Sequence, residues 1–75
     1  MSQEGVAVEE LERSKGKVVL LKLGGGETIR GRLEAVDMHL NITLHDAEEV
    51  SGDNKTRPIG TVLVRGDNII MVSPS

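Results

Sequence analysis

Apolar residues recur at every second position on both sides of one polar pentapeptide, Asp37-Met38-His39-Leu40-Asn41. Ile29, Gly31 and Leu33 lead into it and Leu40, Ile42 and Leu44 lead out, so the period of two predicts strands over 27–36 and 40–50 that meet at a polar tip. Asp, His and Asn fit poorly in the middle of a strand but well in a turn that offers hydrogen-bonding groups outward. The tip is therefore the candidate functional element. Upstream, Val18-Val19-Leu20-Leu21-Lys22-Leu23 predicts a strand with Val19, Leu21 and Leu23 on its inward face, ended by Gly24-Gly25-Gly26. The triplet reads as a hairpin turn. A phosphate-cradling loop needs a following Lys-Ser/Thr pair on a helix, and Glu27-Thr28-Ile29 starts another strand instead.

Downstream, Ser51 to Arg57 is a polar loop, Ile59 to Val64 after Pro58 reads as a fourth strand, Arg65 to Asn68 as a tight turn, and Ile69 to Val72 as a fifth strand ended by Ser73-Pro74. Before the first strand, residues 1–5 are expected to be disordered and 6–14 to form a short helix with Val8 and Leu11 on one side, held by packing rather than by its own propensity. Gly31 lies at an inward position of the second strand, where an isolated glycine marks a sharp bend or a close backbone approach; such a bend curls a small sheet into a barrel.

Composition narrows what can hold this fold together. A chain of 75 residues has a core that rarely supplies more than about 3–5 kcal/mol without disulfides, metal or oligomerisation. Cysteine is absent, and two histidines with scattered carboxylates are too little for a structural metal site. No Phe, Tyr or Trp is present, so Val, Ile, Leu and Met fill the core and only His and Arg can stack on a base. Oligomerisation remains. The fifth strand is apolar on both faces, which predicts an edge covered by a neighbouring copy; a head-to-tail contact of that kind closes into a ring or grows as a filament.

The net charge of −3 and pI near 5.3 argue against general polyanion binding, for which a basic patch or a pI above about 9 is expected. No run approaches the roughly 18 apolar residues of a membrane span, and the N-terminus lacks a signal-peptide pattern, so a soluble, cytoplasmic protein is expected. In that setting the triplets Asn41-Ile42-Thr43, Asn54-Lys55-Thr56 and Arg65-Gly66-Asp67 carry no glycosylation or adhesion meaning. His45 beside Asp46, Glu48 and Glu49 matches no metal-ligand spacing and reads as a solvated face. Nucleophilic catalysis lacks a cysteine, or a serine with a base and an orienting acid, so no enzyme and no cofactor is expected.

Gly26, Ile29, Gly31, Leu33, Asp37 and Asn41 in the first half, with Ile59, Gly60, Val62, Val64, Arg65, Gly66, Asp67 and Asn68 in the second, resemble the two motifs of the Sm and Sm-like (LSm) RNA-binding family, over residues 8 to 74. The short connecting loop looks most like the archaeal members. The resemblance implies a single mainly-β domain over 1–75: a short N-terminal helix, then a strongly bent five-stranded antiparallel sheet forming a small open barrel. The first motif covers 17–50, the loop 51–57 and the second motif 58–74. It further implies a homomeric ring, typically a heptamer, in which the fourth strand of one subunit pairs with the fifth of the next. Single-stranded uridine-rich RNA binds in the pore of such rings, serving RNA processing or ribonucleoprotein assembly. By position, His39 and Arg65 sandwich the base and Asn41 reads its Watson–Crick edge, with Asp37, Gly66 and Asp67 in support. The residue chemistry agrees, since imidazole and guanidinium are flat and an amide pairs one acceptor with two donors.

Val36 and Met38 depart from the family, which often has an aromatic before the Asp and a polar or aromatic residue after it, so the second, outer RNA site of some members is not expected. The rival function is a ring that scaffolds protein assembly through its faces. A scaffold has no need for His39 and Asn41 to be matched by Arg65.

Overall fold

The computed structural model describes residues 3–75. Helix α1, Gln3–Glu12, precedes five strands: β1 Val18–Leu23, β2 Thr28–Val36, β3 Ile42–Val50, β4 Thr56–Val64 and β5 Ile69–Pro74, with a 3-10 turn at Gly66–Asn68 before β5. Every pairing is antiparallel and the strands lie in the order β4-β3-β2-β1-β5. The result is a mainly-β fold with a short N-terminal helix and a bent, open five-stranded sheet.

The core is built from the alternation in the sequence. Val19, Leu21 and Leu23 of β1, Leu33 of β2, Ile42, Leu44 and Ala47 of β3 and Val64 of β4 are buried, with Leu11, Ile29, Val36, Ile59, Val62, Ile69 and Val72 packed around them. Gly31 supplies the close approach: a Cβ placed on it meets Ala47 Cα and Leu44 Cβ at 3.1 Å. The bend works because a glycine on β2 faces an alanine on β3.

Several boundaries and one phase of the alternation differ from the periodic reading. The helix covers 3–12 rather than 6–14; the expected disorder over 1–5 falls at residues 1 and 2 outside the described residues, and from Gln3 the backbone is helical. Beyond Glu12 the chain leaves the helix through turns, the Ser14 N–H bonding to Leu11 O at 2.9 Å and the Gly16 N–H reaching Leu33 O at 2.8 Å. Strand β3 begins at Ile42 and not at Leu40, because Leu40 sits at φ 64 inside the tip. After Leu44 the alternation slips: Asp46 takes φ 52, the register with β4 shifts between Leu44 and Ala47, and the small Ala47 turns inward in place of the acidic residue. Strand β4 begins at Thr56 and so contains Pro58, which an edge strand tolerates since its missing N–H need not pair.

Strands β4 and β5 are the two edges of the sheet. Each carries exposed apolar side chains, Leu63 on β4 and Ile70 and Met71 on β5, at 70%, 66% and 51% exposure. No helix among the described residues is long and apolar enough to cross a membrane.

Candidate nucleic-acid interface

Between β2 and β3 the chain turns on a single carboxylate. Asp37 Oδ1 accepts the backbone N–H groups of His39 (2.8 Å) and Asn41 (3.0 Å). The Asp37 carbonyl accepts the Leu40 N–H at 3.0 Å, and the Asp37 N–H donates to Asn41 O at 3.1 Å. This closed loop is what holds Leu40 in the left-handed region, a conformation costing an L-residue on the order of 1 kcal/mol or more. His39 is left exposed at the tip beside Met38, and no hydrogen bond or ion pair engages its ring among the described residues.

The second loop is pinned to the first through Asn41, which is half-buried. Its Nδ2 donates to Asp37 Oδ2 at 2.9 Å, and its Oδ1 accepts the Gly66 N–H at 2.9 Å. The two backbones touch at Gly66: a Cβ there would run into the His39 carbonyl oxygen and come within 2.8 Å of the Leu40 carbonyl. Only glycine fits. The 3-10 turn is closed by the Asn68 N–H to Arg65 O (3.1 Å), and Asn68 O accepts the Gly24 N–H at 2.9 Å, which ties the β1–β2 turn to the same end of the sheet. Hydrogen bonds to Asp37 from the Asn41 amide, then from the Asn41 backbone, with smaller help from the His39 backbone and ring, hold its carboxyl below the ordinary value.

Arg65 is exposed and its Nη2 donates to Asp67 Oδ2 at 3.0 Å. One edge of the guanidinium is thus occupied and part of its charge offset, while a planar group stacks through its faces. Elsewhere arginines are also paired with acids: Arg30 with Glu48, Arg32 with Asp46 at 3.0 Å and Arg57 with Glu49 at 3.0 Å. His45 Nδ1 lies 2.8 Å from Thr61 Oγ1 and its Nε2 3.7 Å from Glu34, and no group of three potential metal ligands occurs among the described residues.

The six residues singled out in the sequence therefore fall on two loops, with Asp37, Asn41 and Gly66 in direct contact and Arg65 bound to Asp67. Gly66, placed in support by the sequence, donates its N–H to Asn41 Oδ1. Two participants escaped sequence reasoning. Leu40 looked like a strand residue by periodicity, and the bracing of Gly24 by Asn68 is a backbone bond that no side-chain pattern encodes.

Residues 9–74 match the family model of the LSM domain. An Sm-like protein of Archaeoglobus fulgidus is 40% identical over 68 residues, spanning 91% of this chain and 88% of that one. Among solved structures, a heptameric archaeal Sm protein superposes with a TM-score of 0.84 at 43% identity, over 89% of this chain and 97% of that one. The Sm protein of Pyrococcus abyssi, solved in complex with a uridine heptamer, gives 0.82 at 39% identity, over 89% and 94% of the two chains. With the bent five-stranded sheet, both motifs and these relatives in agreement, the chain belongs to the LSM domain family of Sm-like proteins.

Proposed function

We propose that copies of this chain pair head-to-tail, β4 to β5, into a closed homomeric ring of seven, and that the ring binds single-stranded uridine-rich RNA at the loops 37–41 and 65–68, one base per subunit. The protein acts by binding, in RNA processing or ribonucleoprotein assembly, and not by catalysis. The observation that carries this reading is the Asn41 amide, held between Asp37 and Gly66 at the joint of two exposed loops. Of its two N–H donors and two carbonyl lone pairs, one of each is consumed inside the protein. The remaining N–H and lone pair match the O4 acceptor and N3–H donor of uracil.

His39 and Arg65 supply the flat faces on either side of the base. Pairing of Arg65 with Asp67 favours stacking over phosphate neutralisation, in keeping with an acidic chain whose arginines are each paired with a carboxylate. Ring closure is supported by the unpaired edges of β4 and β5 with their exposed Leu63, Ile70 and Met71, and by the heptameric relative. The uridine-heptamer complex of the Pyrococcus abyssi relative supports the ligand.

Anisotropy titrations of labelled oligouridine, oligocytidine and oligoadenosine of equal length test the proposal. Oligouridine should bind most tightly, with affinity rising steeply with length as one strand engages successive subunits. Equal affinity for the three homopolymers would refute the role of Asn41.

A further inference from the structure

We infer that Pro58 closes the part of the β4 edge that the ring leaves uncovered, and so keeps assembled rings from joining strand to strand. The inference rests on the ring reading above. Strand β4 runs toward the 65–68 loop and β5 runs away from it, so with every such loop at the pore, neighbouring edges meet antiparallel with Val64 beside Ile69. Both of these residues belong to the core face. Ile70 is an extra residue in β5, since Leu23 pairs with Ile69 and Lys22 with Met71. Ile70 and Met71 therefore stand together opposite Leu63, and the exposed apolar side chains of the two edges cover one another. Val72 then meets Val62, again core face to core face, and β5 ends at Pro74 opposite Gly60.

Strand β4 is the longer of the two, and Thr56, Arg57, Pro58 and Ile59 extend past the partner strand. The hairpin that starts β4 fixes what this overhang shows. The Ser51 N–H bonds to Lys55 O at 2.8 Å, and the register continues with Val50 opposite Thr56, Glu49 opposite Arg57 and Glu48 opposite Pro58. Bonded and non-bonded pairs alternate along an antiparallel ladder. Glu49 and Arg57 thus form the next bonded pair, whereas Thr56 and Pro58 turn their backbone groups away from β3, to the free edge. Pro58 occupies a position whose N–H would face outward, and removes it.

Charge does not close this stretch. Arg57 is the one charged residue of the overhang, and Glu49 offsets it at 3.0 Å. Thr56, Arg57 and Pro58 are all exposed, so nothing in the subunit covers the edge. An uncovered edge with its donors intact pairs with a second copy of itself, and since each subunit carries one, linked rings would keep growing. A missing donor at Pro58 interrupts that pairing and leaves the ladder to β3 untouched.

The test is light scattering coupled to size exclusion, on the parent and on Pro58→Thr, which restores the N–H without adding apolar surface. The parent should run as a single ring at every concentration, and the variant at about twice that mass or more, rising with concentration. Adding Thr56→Pro to Pro58→Thr moves the missing donor along the same edge, to the first residue of the strand where proline is tolerated, and should return the single ring. A Pro58→Thr variant that stays a single ring would overturn the inference while leaving the ring reading standing. Loss of the ring in that variant would overturn it as well, because the restored N–H faces away from its own sheet, and so would association that Thr56→Pro does not reverse. A monomeric parent would overturn the ring reading and the inference together, and that result appears before any variant is made.

Discussion

Replacing Arg65 by lysine separates the two things a guanidinium can do on the rim of the site. Lysine keeps the charge and a similar reach but loses the plane. The pairing of Arg65 with Asp67 at 3.0 Å bears on the size of each effect. Both side chains are largely exposed, so the ion pair itself contributes at most about 1 kcal/mol to stability and its loss should not disturb the fold. Stacking a base on a flat side chain is worth roughly 1–3 kcal/mol. Arg65→Lys should therefore weaken oligouridine binding nearly as much as Arg65→Ala does, by about 5- to 150-fold for each engaged uridine. Anisotropy titrations at several salt concentrations are the assay, with light scattering to show that the rings remain assembled. A phosphate contact contributes close to one unit to the slope of log K against log salt, so a phosphate-binding arginine would make the lysine variant resemble the parent in both affinity and slope. Binding by Arg65→Lys within about twofold of the parent would refute the stacking assignment.

Three further outcomes are expected. Leu63→Asp places a charge on the exposed apolar edge of β4 and should convert the ring into smaller species, seen by light scattering; an intact heptamer would show that this edge is not the interface. Gly31→Val adds side-chain volume where even a Cβ lies 3.1 Å from Ala47 Cα and Leu44 Cβ, and should cost on the order of 1–3 kcal/mol, measured by denaturant unfolding; an unchanged midpoint would show that β2 and β3 can part there. The Asp37 carboxyl is held below its ordinary value of 3.8, so the folded state favours the ionised form, and the stabilisation is present above that ordinary value and lost only as pH falls through the lower folded one. A carboxyl NMR titration should find the Asp37 midpoint below 3.8, and a midpoint above it would contradict the hydrogen-bonded loop.

Much of this was legible because β-strands with one buried face leave a period of two. Val19, Leu21 and Leu23 read correctly as inward, and Gly31 announced the bend it makes with Ala47. Leu40 was not legible as a loop residue: it continues the apolar alternation of Ile42 and Leu44, and its left-handed backbone depends on bonds to Asp37 that periodicity does not register. Ala47 was missed for the complementary reason, since a bulge at Asp46 shifts the inward phase by one residue and acidic neighbours hide a small apolar one. Pro58 suggested a boundary because proline breaks central strands, and an edge strand removes that objection. At the site, residue types pointed to the two loops, whereas the orientation of the Asn41 amide depends on which atoms of Asp37 and Gly66 it meets, and that follows from three-dimensional register alone.

The central claim is that an assembled ring reads uridine through one site per subunit. Native mass spectrometry of the protein, titrated with uridine 5′-monophosphate and with cytidine 5′-monophosphate, measures the ring mass and the number of bound nucleotides in one experiment. A heptamer that fills to one uridine nucleotide per chain, and that takes up the cytidine nucleotide far less readily, is the result predicted. Contradiction would come from a monomer, or from a heptamer that binds the two nucleotides alike.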